Sequence, residues 1–234
     1  MSMYLISIFI FLIIPSIFAS FAIPKKTKSA ALFSLAFIGI PLVIDAWLIV
    51  NNVWLVSTIF PFKLIGLIPL EDIVFSFFSI YLIALLYEYI LKSHKKERAG
   101  NPRSWILASV SFLFIVFFLF FYFFHPEALL LQYAYFWVLC PLSLILLLVG
   151  AWKHPRLLST FLFLGLCCFP FALLYEILAL KFGMWSFPGN QYLGIMSLFG
   201  VRFPLEEFIC FIVLFPMSIA ALYEILGARS RTHE

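Results

Sequence analysis

Apolar side chains run along this chain in seven long blocks, at roughly 3–23, 30–50, 69–91, 105–125, 129–150, 158–180 and 204–227. Each is close to the ~20 residues that carry a helix across a bilayer. The polar breaks between them are short and punctuated by Pro, Lys, Arg and Gly. Several blocks hold an internal proline (Pro15, Pro41, Pro141, Pro170, Pro216), which neighbouring helices of a bundle can accommodate by re-satisfying the freed backbone groups. The first block reads as a span and not as a cleaved leader. Met1-Ser2-Met3-Tyr4 carries no basic side chain, and the block exceeds the ~7–15 apolar residues of a signal peptide.

Composition sharpens this reading. The chain is 65% hydrophobic and 11% charged, with a mean hydropathy of +1.13, whereas soluble domains are about 25% charged. A water-soluble fold of 234 residues cannot hide that much apolar surface. Soluble enzymes, nucleic-acid binders and secreted disulfide scaffolds are therefore excluded. The partners expected are the lipid bilayer and lipid-soluble molecules, with no nucleic acid. Cys140, Cys167, Cys168 and Cys210 all sit in apolar runs without metal-ligand spacing and read as packing thiols.

The net charge of +4 is too small to imply a polyanionic partner, but its distribution orients the bundle. Lys25, Lys26, Lys28, Lys92, Lys95, Lys96, Arg98, Arg103, Lys153, Arg156, Arg229 and Arg231 fall on one side, and only Lys63, Lys181 and Arg202 on the other. Basic residues mark the cytoplasmic side. The expected topology is an external N-terminus and a cytoplasmic C-terminus, in the cell inner (plasma) membrane.

The chain also repeats itself. Pro69-Leu70-Glu71-Asp72 opens the third span and Pro204-Leu205-Glu206-Glu207 the seventh. Upstream, eight residues separate Asp45 from Trp54, and eight separate Glu176 from Trp185. Gly66 and Gly200 precede the prolines, and the helix tails end in Tyr87-Glu88 and Tyr223-Glu224. The fold expected is all-α and polytopic: seven transmembrane helices in two parallel three-helix repeats (1–104 and 126–234), joined by one extra helix at 105–125. That helix restores the orientation of the second copy, so Asp45, Glu71, Asp72, Glu176, Glu206 and Glu207 gather at one depth.

A carboxylate in a membrane helix costs roughly 2.5–3.5 kcal/mol on insertion scales and is a functional candidate by default. Proline and acids also suit a helix start on their own account, but two copies with matched upstream acids ask for more. Adjacent helical residues point about 100° apart. One acid of each motif should therefore face a cavity while its neighbour braces against another helix or Arg202. Crowded acids at low dielectric share protons, placing a proton donor beside a carboxylate base. Glu71 and Glu206, glutamate in both copies, are the expected acid–base residues, with Asp45 and Glu176 completing the group of each repeat. Trp54, Trp185, Tyr175 and Phe187 lie near and could stabilise a cation. Glu88 and Glu224 are expected to pair with Lys92 and Arg229. The four histidines (94, 125, 154 and 233) form no cluster, and no nucleotide or flavin motif is present.

On these residues the chain resembles the cofactor-independent lycopene cyclases of the heterodimeric type, in the form that fuses both subunits. The resemblance covers roughly 30–91 and 158–227. It implies an isomerase (an intramolecular lyase) of carotenoid biosynthesis with no cofactor and no metal. A carboxylic acid would protonate a terminal double bond of lycopene, the tertiary cation would close a six-membered ring, and a carboxylate would remove a proton. The resemblance further implies a channel lined by Phe-rich helices and association with a second copy or with other carotenoid-pathway enzymes. Ring type and substrate length stay open, as do a carotenoid hydratase, a C50 cyclase and a proton-coupled carrier.

Overall fold

A computed structural model describes residues 3–58, 60–93 and 103–227. Seven helices among them are long and apolar enough to cross a membrane: α1 Met3–Ala22, α2 Pro24–Val50, α3 Leu70–Ser93, α4 Ser104–Phe124, α5 Ala134–Lys153, α6 Pro155–Lys181 and α7 Glu207–Gly227. The protein is thus an all-α polytopic membrane protein. His94, Lys95, Lys96, Arg98, Arg229, Arg231 and His233 lie outside the described residues.

The main departure from the hydropathy reading is the start of α2. The helix begins at Pro24, where a proline N1 needs no hydrogen-bond partner, and so takes in Lys25, Lys26 and Lys28. Lys26 is buried there, with Nζ 3.1 Å from Glu88 Oε1 on α3. Glu88 therefore pairs with Lys26 and not with Lys92, whose Nζ donates instead to the Ala22 carbonyl at 3.4 Å. Glu224 accepts a hydrogen bond from Tyr87 at 3.0 Å.

The two copies of the sequence fold with the same local devices. α2 and α6 each end in a left-handed residue, Asn52 at φ 54° and Gly183 at φ 63°. Beyond it Val53 N donates to Leu48 O at 2.9 Å and Met184 N to Ala179 O at 2.8 Å, the wrapped cap that satisfies a helix's last carbonyls. Short strands follow: β1 Leu55–Val56, β2 Lys63–Leu64 and β3 Ile68–Pro69 in one copy; β4 Trp185–Ser186, β5 Ile195–Leu198 and β6 Val201–Pro204 in the other. The β2–β3 and β5–β6 hairpins turn through Ile65-Gly66 and Phe199-Gly200, all four at positive φ. β1 pairs antiparallel with β4, Leu55 opposite Ser186. Each is the residue after its copy's tryptophan. An antiparallel pair of equivalent residues places a local two-fold axis between the copies.

α7 is where the copies differ. Between its acids and its Tyr-Glu pair the second copy has one residue more than the first, and Glu207–Leu214 is wound as a π-helix. A π turn absorbs one extra residue. It also ends just before Pro216, as the π turn Phe9–Ile13 of α1 ends just before Pro15. A wider turn eases the clash between a proline ring and the carbonyl four residues back.

The core lies where α2, α3, α5, α6 and α7 meet, around Phe33, Tyr87, Tyr135, Phe161 and Tyr223. α5 and α7 pack closely: a Cβ on Gly150 would stand 2.5 Å from that of Ala221. The same contact joins Cys140 to Cys210 in a disulfide with Cα atoms 5.3 Å apart. These two are not packing thiols, because helix packing brings together residues 70 apart in sequence. Cys167 and Cys168 remain free.

Candidate functional site

All four motif acids sit in the first turn of α3 or at the start of α7, and each is at most 2% exposed. Their neighbours separate them into two kinds. Thr58 directs its hydroxyl at Glu71, 2.9 and 2.8 Å from the two carboxylate oxygens. Leu193 N donates to Glu206 Oε1 at 2.6 Å, and Oε2 has no hydrogen-bond partner. In each copy the first acid is thus tied to its own loop, so the brace is a loop donor and not Arg202, which stands exposed on β6.

The second acids turn inward. Tyr4, at the start of α1, donates to Asp72 Oδ1 at 2.6 Å, leaving Oδ2 without a hydrogen-bond partner. Neither oxygen of Glu207 has one. Asp45 on α2 lies within electrostatic reach of both Asp72 and Glu207, so one upstream acid serves the two halves. Lys63 on β2 is a cation within electrostatic reach of Asp72. A buried carboxylate without partners costs several kcal/mol when charged, and such exceptions call for a functional account.

The other upstream acid is held differently. Trp185 Nε1 donates to Glu176 Oε1 at 3.2 Å. In the first copy the acid is aspartate, one methylene shorter, and Trp54 Nε1 is buried without a hydrogen-bond partner. Asp45 and Trp54 instead line a central cavity of about 60 Å³ bordered by α2, α3, α5 and α7, large enough for a few waters. Asp45 is thereby left facing open space while Glu176 is fixed. The six carboxyls share one end of the bundle, but only Asp45, Asp72 and Glu207 are inward-facing across both halves.

Aromatic rings cover this group. Tyr4, Phe75, Tyr175 and Trp185 pack with centroids 5.5–6.4 Å apart, and Trp54 meets Trp185 at 6.3 Å. Phe187 stacks on Tyr135 at 6.3 Å and so sits over α5. Tyr192 ties the second loop to the first: its hydroxyl donates to Val53 O at 2.6 Å. Burial pushes its phenol up to about 12, despite a hydrogen bond with the Gly189 backbone that acts the other way. Tyr4, Thr58, Leu193 N and Tyr192 were not legible as site residues, because a lone hydroxyl or amide near a span carries no spacing signal. His125 lies beside Glu127 at 3.7 Å on the exposed connection after α4.

Fold and site together define a polytopic helical membrane protein with carboxyls buried under aromatic rings at one end of the bundle. Among protein-family models, curated proteins and solved structures, none matches this chain.

Proposed function

We propose that this protein is a membrane-embedded lycopene cyclase that closes the acyclic ends of a carotenoid into ionone rings by proton-initiated cyclisation. The observation that carries the reading is the inward group of half-buried Asp45 with buried Asp72 and Glu207, drawn from both halves and set beneath aromatic rings. One carboxylic acid gives its proton to the terminal double bond of the polyene. The resulting tertiary cation is attacked by the internal double bond, forming the ring bond. A carboxylate then takes a proton from the ring carbon, so protons and electrons balance with no redox partner. Aromatic faces around the group lower the energy of a passing cation. Asp72 and Glu207 suit the proton-handling roles better than Glu71 and Glu206, each of which is tied to its own loop. The orientation that fits has this end external and the C-terminus cytoplasmic, in the plasma membrane.

The test is expression in lycopene-accumulating bacteria with pigment analysis. Cyclic carotenoid from the wild type, lost by at least ~10²-fold in Asp72→Asn and Glu207→Gln, is the expected result. Unchanged lycopene with correctly inserted wild-type protein refutes the reading, and a hydroxylated product turns it into a hydratase.

A proton-coupled carrier is the second reading, favoured by one observation. Lys26, Glu88, Tyr87, Tyr223 and Glu224 form a second polar group at the opposite end of the bundle, as proton relays through a membrane require. Proton flux in liposomes without any carotenoid separates the two.

A further inference from the structure

The central cavity has a counterpart that differs from it in size. A cleft of about 560 Å³ lies between α1, α3, α6 and α7, lined on α6 by Cys168, Phe171, Ala172 and Tyr175. The residues equivalent to these on α2, Phe37, Ile40, Pro41 and Ile44, line the central cavity of about 60 Å³. Phe75, Ser79, Phe211 and Phe215 form a wall common to both. The two spaces are thus the same feature in the two copies, one wide and one narrow. The narrowing follows from packing, since the disulfide and the Gly150–Ala221 approach draw α5 against α7.

The open cleft is sized for a ligand; pockets for small molecules span roughly 300–1,000 Å³. On α1 it runs from Phe11 to Ala22, roughly 16 Å at ~1.5 Å per residue. Its rim is exposed apolar surface, with Phe18 at 71% and Phe171 at 67% exposure, so it opens towards lipid. Along its wall a row of rings keeps nearly one orientation. Tyr175 to Phe75 is tilted by 23°, Phe75 to Phe211 by 26° and Phe211 to Phe215 by 23°. At the top of that row Tyr175 and Phe75 join the aromatic group over the carboxyls, and Phe75 stands one helical turn below Asp72.

We infer that this cleft is the binding site for the chain of one linear conjugated polyene, entered sideways from the bilayer with its end directed at Asp72 and Glu207. The inference rests on the cyclase reading and adds where the substrate lies and how many chains are held. A flat, stiff conjugated chain matches near-parallel rings and loses little freedom on binding, whereas a saturated chain must be ordered bond by bond. Because the equivalent space, at about 60 Å³, is too small for such a chain, the protein holds one chain at a time.

Protein in nanodiscs, titrated with lycopene and followed by tryptophan quenching, gives the test. The expected stoichiometry is one polyene per chain, with the saturated analogue lycopane competing at least about tenfold more weakly. Ala172→Trp, which fills the cleft from α6, should weaken binding about tenfold or more, and Leu166→Trp on the exposed side of the same helix should not. Equal competition by lycopane, or wild-type binding in a folded Ala172→Trp protein, overturns the inference. The competition uses the unaltered chain and decides the matter if Ala172→Trp fails to insert. Selective binding without cyclic product would retain the site and remove the cyclase reading. Undiminished cyclisation by Ala172→Trp would do the reverse.

Discussion

Tyr4→Phe is the narrowest cut into the carboxyl group. The phenol oxygen lies 2.6 Å from Asp72 Oδ1, and the ring is 3% exposed, packed 5.7 Å from Trp185 and 6.2 Å from Phe75. Removing one oxygen leaves those ring contacts intact, so the packing cost is small. What is lost is a hydrogen bond to a carboxyl group in a buried setting, worth about 1.5–3 kcal/mol when the acceptor is charged. At ~1.4 kcal/mol per tenfold that corresponds to roughly 10–150-fold in any step that depends on Asp72 holding charge. The assay is the initial rate of ring formation in liposomes across pH, beside thermal unfolding of the same preparations. The expected outcome is a rate loss in that range, with the pH profile displaced and a melting temperature lowered by only a few degrees. An unchanged rate and profile with full insertion would show that Asp72 takes no part in proton transfer. A rate loss with an undisplaced profile would reduce Tyr4 to an anchor for α1.

Three further perturbations test separate parts of the structure. Glu88→Gln removes the carboxylate paired with the buried Lys26 ammonium and should destabilise the protein by about 3–5 kcal/mol, while Lys26→Met combined with Glu88→Gln should recover most of it, read by thermal unfolding. Cys140→Ser removes the link between α5 and α7 and should cost about 2–4 kcal/mol; intact mass before and after reduction shows whether the bond is present. The raised Tyr192 phenol makes its contribution fully present below pH 10 and lost as pH rises towards about 12. Ultraviolet titration should therefore show a tyrosine ionising near pH 12 with release of the second loop, a step that Tyr192→Phe abolishes.

The number of spans, their limits to within a few residues, and the two acid-bearing helix starts were legible in the sequence. Bilayer thickness sets how long an apolar run must be, and Pro followed by acids marks a first helical turn wherever it stands. The repeat was legible for a similar reason, since Trp54 and Trp185, or Tyr87 and Tyr223, keep their spacing whatever packs around them. Lys26 was misplaced because a charge beside proline at a span's edge reads as connection, and only the carboxylate of Glu88 on another helix makes its burial tolerable.

How the helices are rotated against one another was decided by the tertiary structure alone. These spans are apolar on nearly every side, so no amphipathic face tells a helix which way to turn. That rotation chose Asp72 and Glu207 over Glu71 and Glu206 as the inward acids, and set Tyr4 against Asp72. It brought Cys140 to Cys210 and left one of two equivalent spaces far wider than the other. Partition between lipid and water depends on composition along a line and can be read from the chain; contact between side chains depends on close packing in three dimensions, to which every span contributes at once.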